Sequence, residues 1–533
     1  MTERKGQNYL HGAAILTAGV IVMKLLGFIY KVPIGNILGD DGNSLFNSAY
    51  MVYNVFLTLS TAGLPIALAR MVSEANAAGR PAQLARIFSV AWRTFFWLGL
   101  FCSLVMGLFP RFIAGEIMRN PDAALSIQVM SPSVLLVCLV SAYRGYCQGF
   151  GDMIPTTVGQ VLEVLVKMLV GLAAAWALMR AGHDKNLSAA GAIFGVTVGS
   201  AAALFYMWLH KRRHYRDEAR ASDTPDPDRV IFRRFLRIGV PIALGASVLA
   251  LLNLIDASLC MGRLQDAARF SYQHAKELTG VYGKAQNVFN LPAAIITPLT
   301  ISIVPAITAA IERREREGAA RISEDSLRIA TVLSLPMGLG LALLSKPIMR
   351  LIYPTAHPAG GTLLALLGLA SIFVCIVLME NAILQASGHE LVPVVTMIVG
   401  GLVKVLVNFV LVGRPEINIY GAPVGTLASY IVMAAVNYVL MGRVLDRRPR
   451  LHAVFLKPCL CALAMSTAVW AVSGLALRLP LSPRLSLLAQ SLLPIAVAVP
   501  VYLVLSIVLH SVTREDMTLI PGGEKLARLL RMN

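Results

Sequence analysis

Lys24 and Lys31 stand seven residues apart in an apolar stretch that contains no acid. Seven residues is close to two helical turns, so in a helix both ammonium groups fall on one face, with Gly27 beside them. A charge at the centre of a bilayer costs at least about 3 kcal/mol and normally meets a partner or a water-filled cavity. Lys31, nearer the end of its stretch, could instead reach the interface by snorkelling; Lys24 lies deeper and is placed for a cavity. Glu163 and Lys167 are four apart with the acid first, the order that suits an ion pair within one helix. Lys404 occupies a similar stretch but has Gly400 where the acid would be, which leaves Glu380, Asp256 or a cavity as its counterpart. Asp256 and Glu380 are the membrane acids with no basic neighbour in helical register. Lys284 opens a further apolar stretch in Tyr282-Gly-Lys-Ala-Gln286, at a helix entrance where snorkelling is easy.

A cavity with surplus cations suits an anion. At a few ångströms and an effective dielectric near 20, each Lys–phosphate contact is worth on the order of 4 kcal/mol before desolvation. Two or three such contacts could hold a diphosphate and release it when the helices part. Other chemistries lack their motifs. Gly283-Lys284 has neither the following hydroxyl nor the upstream glycine spacing of a phosphate-binding loop. No zinc-protease pair, nucleophile elbow or dinucleotide fingerprint occurs, and the nine histidines are dispersed,. The sequence therefore predicts no cofactor and no resident metal, a transporter rather than an enzyme, and energy from a Na+ or H+ gradient or the membrane potential. Asp256 and Glu380 are the candidate coupling-ion residues.

The elements that must position these residues are membrane helices. The chain has 533 residues, 56% hydrophobic and only 14% charged, where a soluble chain would be about a quarter charged. Seven cysteines scattered through apolar stretches suit buried packing, not a disulfide framework,. A span needs roughly 20 mostly apolar residues, and the sequence predicts an all-α membrane protein with about fourteen of them, from 11–35 and 46–72 through 280–310 to 485–510. With the N-terminus inside, cytoplasmic segments carry 28 Lys and Arg against roughly 11 outside,. Both termini are then cytoplasmic. The net charge of +18 belongs to these loops, and nucleic acid is not an expected partner.

The longest polar stretch, 210–234, reads as an exposed basic linker. It separates a six-helix bundle over 1–209 from a second over 235–445; residues 446–533 add two further spans and a tail. The halves echo each other. Gln148, Gly151, Pro155 and Lys167 recur in order as Gln385, Gly388, Pro393 and Lys404. Gly191-Ala-Ile-Phe-Gly195 recurs as Gly421-Ala-Pro-Val-Gly425, and Asn54-Val-Phe as Asn287-Val-Phe. These echoes share one offset, as a duplicated six-helix unit would. Six is even, so the copies are parallel, related by an axis along the membrane normal.

A first span reading Lys24-Leu-Leu-Gly-Phe-Ile-Tyr-Lys-Val-Pro33, the Tyr-Gly-Lys-Ala-Gln entrance and the paired Gly-Ala-x-x-Gly openings resemble the multidrug/oligosaccharidyl-lipid/polysaccharide flippase superfamily. The similarity covers essentially the whole chain and is strongest to its polysaccharide-transport branch, which holds sporulation proteins and lipid II flippases of the bacterial plasma membrane. That resemblance implies alternating-access export of an undecaprenyl-diphosphate-linked saccharide, most plausibly lipid II, by a monomer working beside the cell-wall synthesis machinery. It implies diphosphate contacts for Lys24, Lys31 and Lys284, by position, with Lys404 as a further candidate. Lysine stands where lipid II flippases carry arginine, which loses bidentate phosphate geometry but not the charge; the second span has no cation around Val55, which fits the sporulation branch better. The last two spans would form a groove for the lipid tail. Two rival readings remain: a drug/cation antiporter of the same superfamily using Asp256 and Glu380, and a non-transporting membrane subunit of an envelope-synthesis complex.

Overall fold

The computed structural model describes residues 4–215, 223–313, 315–445, 448–478, 482–509 and 511, and among them every regular element is a helix. Hydrocarbon offers no water to backbone N–H and C=O groups, and a helix satisfies them within its own segment. In chain order the helices are α1 (Arg4–Thr61), α2 (Leu64–Ala77), α3 (Pro81–Leu108), the single turn α4 (Pro110–Phe112), α5 (Ala124–Gly149), α6 (Ile154–Arg180), α7 (Lys185–His214) and α8 (Asp228–Asp266). There follow α9 (Tyr272–Glu312), α10 (Arg316–Leu343), α11 (Ser345–Ile352), α12 (Ala359–Ala386), α13 (Leu391–Leu411), α14 (Gly421–Val444), α15 (Lys457–Ala476) and α16 (Pro483–Val508).

Twelve helices among the described residues are long and apolar enough to cross a membrane. The first of them, Leu25–Ala77, is 53 residues long and joins the first two expected spans. At 1.5 Å per residue it would extend ~80 Å, well over twice the hydrocarbon thickness. It is interrupted at Gly39, whose φ of 70° and ψ of −166° lie outside helical geometry, in a region open essentially to glycine alone. The expected eighth span falls on α9, which is not among the twelve. The expected linker is shorter than its polar composition suggests: α7 runs to His214 and α8 starts at Asp228, while 216–222 lie outside the described residues. All seven cysteines are free, six of them buried.

The chain forms two compact units, one of Met1–Gly262 with Tyr272–Gly280, the other of Arg263–Ser271 with Val281–Asn533. In the first, α6 packs along α7, α5 lies against α3 and α7, and α1 covers α5 and α6. Its core gathers Tyr30, Ile34, Leu38, Phe95, Ile127 and Val134. In the second, α12 lies between α10 and α14, α13 packs on α14, and α15 joins α16 and α10 around Ile376, Met379, Ile383, Cys461 and Met465.

Two glycines of the sequence echo do equivalent work. A Cβ at Gly195 on α7 would lie 2.6 Å from the Lys167 carbonyl oxygen of α6, and one at Gly425 on α14 would lie 1.9 Å from Asn408 Oδ1 and 3.3 Å from the Lys404 carbonyl oxygen of α13. Close backbone approach of this kind is what small residues provide between membrane helices. In both halves it presses the neighbouring helix against the back of the repeated lysine.

Gly39→Ala is expected to cost about 1–3 kcal/mol and to lower the thermal unfolding midpoint of the detergent-solubilised protein. Gly27→Ala should leave it unchanged, because a Cβ there meets no atom within 4 Å.

Candidate functional site

Ionisable groups inside the first unit converge from α1, α5 and α6. Lys31, half-buried on α1, follows Tyr30, whose ring is 2% exposed and whose hydroxyl donates to the Ala192 carbonyl of α7 at 3.1 Å. Lys167, one turn beyond Glu163 on α6, places its Nζ 5.8 Å from the centre of the Tyr30 ring. Lys24 is on the same helix as Lys31, but its side chain lies outside the described residues.

The Glu163 carboxylate is taken by side chains of two other helices. Arg144 of α5 donates to Glu163 Oε2 at 2.8 Å, and Ser200 of α7 donates to Oε1 at 3.3 Å. The pair is largely enclosed, with side-chain exposures of 14% and 19%. Among the described residues, no carboxylate comes within 4 Å of either Lys31 or Lys167, so the cluster holds three cations and one anion. Tyr50 and Tyr53 line the same region from the second half of α1, their rings edge to face at 6.1 Å, with Tyr53 in reach of both Arg144 and Glu163. Arg144 lies near the end of α5 and is not among the residues expected to form the site. Helix α5 continues to Gly149 and keeps it inside; the run of aliphatic residues extending to Ala142 was the available signal.

The remaining expected site residues divide between the units. Asp256 is buried on α8 in the first unit. In the second, Lys284 is wholly buried on α9, its Nζ 5.3 Å from the centre of the Tyr353 ring. Such a lysine is held by a cation–π contact rather than opened to a cavity. Lys404 is half-buried on α13, within electrostatic reach of Tyr430. Glu380, 3% exposed on α12, has no hydrogen-bond partner at Oε2. The adjacent Asn381 accepts at its Oδ1 from Asn437 of α14 at 3.0 Å.

Two polar clasps close the ends of the first unit. At one end, the start of α9 docks on the Gly39 break and the loop before α5. Asn43 donates to the Gly280 carbonyl at 2.8 Å, Ser44 and Thr279 hydroxyls meet at 2.9 Å, Tyr272 donates to Asn120 at 2.7 Å, and Lys276 pairs with Asp122 at 2.6 Å. Burial, reinforced by Asp122, pushes the Tyr272 phenol up, which keeps it a donor,. A Cβ at Gly280 would meet the Asp40 carbonyl at 1.9 Å, so only glycine fits there. At the other end, Asp223 accepts from the Ala82 and Gln83 amides at 2.7 and 3.1 Å, satisfying the exposed N–H groups that open α3,. Asp226 pairs with Arg80, and Asp228 with Arg86 and Arg93. A counterpart exists in the second unit, where Glu324 of α10 takes the Arg450 amide at 3.0 Å and its guanidinium at 3.8 Å.

A model of the polysaccharide biosynthesis protein family matches residues 9–311, and a MatE family model matches residues 241–410. An uncharacterized membrane protein, YabM of Bacillus subtilis, is 25% identical over 524 residues, covering 98% of this chain and 96% of its own. The lipid II flippase MurJ of the same organism is 23% identical over 81% of this chain and 82% of its own. Among solved structures, lipid II flippase MurJ in an inward closed conformation superposes with a TM-score of 0.68 at 13% identity, covering 93% of this chain and 99% of that one.

Arg144→Met strands the Glu163 carboxylate and is expected to destabilise the protein by about 3 kcal/mol. Adding Glu163→Gln should recover most of that loss. Thermal unfolding of the two single variants and the double variant measures the coupling.

Proposed function

The chain belongs to the polysaccharide biosynthesis protein family of the multidrug/oligosaccharidyl-lipid/polysaccharide superfamily, and from that membership we propose that this multi-pass membrane transporter moves an undecaprenyl-diphosphate-linked saccharide, lipid II in the first instance, from the inner to the outer leaflet. The observation that carries the reading is the charge balance inside the first unit. Lys31, Lys167 and Arg144 face a single carboxylate, and Arg144 takes it at 2.8 Å. Surplus positive charge in a low-dielectric interior favours an anionic headgroup and opposes a cationic drug.

Lys24 and Lys31 supply the first diphosphate contacts. Lys284 joins them only in a conformation that uncovers its ammonium from Tyr353, and Lys404 is a further contact in the second half. Lysines give the charge without the two-pronged geometry of arginine, so phosphate is gripped loosely enough to leave. Asp256 and Glu380 are the groups for a coupling Na+ or H+. The chain works as a monomer with both termini cytoplasmic, supplying lipid-linked precursor to envelope synthesis. A second reading, a drug/cation antiporter, is favoured by the MatE match over 241–410 and by the unpartnered Oε2 of Glu380.

The test is transport by purified protein in liposomes loaded with lipid II, read by the appearance of headgroup on the far leaflet. Lys24→Ala and Lys31→Ala should each abolish it while leaving protein yield and thermal stability intact. Full transport by both variants removes the lysine assignment, and an inert wild type alongside proton-coupled export of a cationic dye favours the antiporter. Cysteine labelling of intact cells expressing variants with one cysteine at either end should show both ends shielded from a membrane-impermeant reagent.

A further inference from the structure

Helix α7 ends in a cluster of ionisable groups that the proposed transport site does not use. His210 and His214 stand one turn apart, and their rings stack with centres 4.2 Å apart and planes 18° from parallel,. His214 Nδ1 lies 3.1 Å from the His210 carbonyl. A carbonyl can only accept, so Nδ1 carries the proton and Nε2 is the nitrogen left to titrate. His210 Nε2 is buried without a hydrogen-bond partner, 3.6 Å from Asp152 Oδ2 in the turn between α5 and α6. Asp152 already ties that turn to the end of α7. Its Oδ1 accepts from the Ile154 amide at 3.3 Å and its Oδ2 from the Tyr215 hydroxyl at 3.4 Å. Tyr215, the first residue after α7, packs on the Tyr146 and Phe150 rings at 5.5 and 4.9 Å.

The other charges nearby are engaged elsewhere or point to solvent. On α7, Lys211 sits over the Phe88 and Tyr146 rings, Arg212 over Trp208, and Arg213 is exposed; the Tyr206 ring is 6.2 Å from that of His210. Helix α5 adds the buried Cys147 thiol, and its Arg144 is held by Glu163. Helix α6 has no ionisable residue before Glu163, and Arg86 and Arg93 of α3 pair with Asp228. One carboxylate therefore faces two imidazoles on a basic helix end. Imidazoles change charge between pH 5 and 8. A first proton, on His210, is balanced by Asp152. A second, on His214 Nε2, sets like charges face to face, so the pair titrates as a coupled unit. His214 is exposed and can leave the stack only by giving up its bond to the helix end.

We propose that His210, His214 and Asp152 form an acid-released latch on the end of α7, from which the linker to the second bundle starts. The latch is fully closed with the rings neutral and is lost as pH falls through their titration. This inference goes beyond the flippase reading and does not depend on it.

The experiment is hydrogen exchange of the full chain in nanodiscs, read by mass spectrometry over residues 208–215 and corrected for the intrinsic pH dependence of amide exchange. Between pH 7.5 and 5.5 the wild type should lose roughly 10-fold in protection there, while residues 130–140 of α5 stay unchanged. His214→Phe keeps a ring to stack and His214→Gln keeps a donor, both without charge; each should exchange slowly at both pH values, within about twofold of the neutral wild type. His214→Arg, charged throughout, should exchange fast at both. Wild-type protection that ignores pH overturns the latch, as does a pH response that survives in His214→Phe and His214→Gln. Fast exchange at both pH values in all three variants would make His214 a packing residue and overturn it too.

Discussion

A charge carried into hydrocarbon has to find an opposite charge, because water is no longer there to screen it. In the first unit one such match is complete: Arg144 and Glu163, from neighbouring helices, meet at 2.8 Å with Ser200 on the remaining oxygen. Removing both charges at once would cost little, whereas stranding one would cost several kcal/mol. The pair therefore works less as a source of stability than as a constraint on how α5, α6 and α7 fit together. Its consequence for function is subtraction. With Glu163 committed, Lys31 and Lys167 have no negative counterpart among the described residues, and the interior is left cationic.

The glycines on α7 make that subtraction geometrically firm. Because α7 lies directly on the back of α6 at Gly195 and Gly199, α6 cannot roll to present Lys167 elsewhere without moving the whole contact. The same design appears in the second half, where Gly425 of α14 backs Lys404 of α13. There the acid of the first half is replaced by Gly400, which packs against Met433. The second half thus has the same helix contact and a lysine at the same place, with different electrical surroundings for the lysine.

Much of this was legible in the residues. The apolar runs marked the helices, and the absence of nucleotide and hydrolase motifs pointed to transport. Periodicity also placed Lys31 in the membrane and Glu163 one turn from Lys167. What it could not supply was the partner from another helix. An i, i+4 spacing suggested Glu163 with Lys167, but the contact the fold makes is from Arg144 of α5 at 2.8 Å, and a pairing between helices leaves no trace in the spacing along one of them. The burial of Lys284 under Tyr353 was equally invisible, since the two meet only through packing. The clasp of Asn43, Ser44 and Asn120 on Thr279, Gly280 and Tyr272 is built from common polar residues that carry no sequence signature.

The two clasps at the helix ends are charge-reversed copies. In the first unit, aspartates of the connecting segment grip a basic helix start at Arg80, Arg86 and Arg93. In the second, an arginine of the connecting segment grips Glu324, in the third turn of α10. Exchanging the partners would set aspartate against glutamate and arginine against arginine. Both sets of contacts are half-exposed ion pairs, which salt screens more than it screens buried pairs,. Raising the ionic strength would therefore loosen the connecting segments while leaving the apolar packing behind them in place.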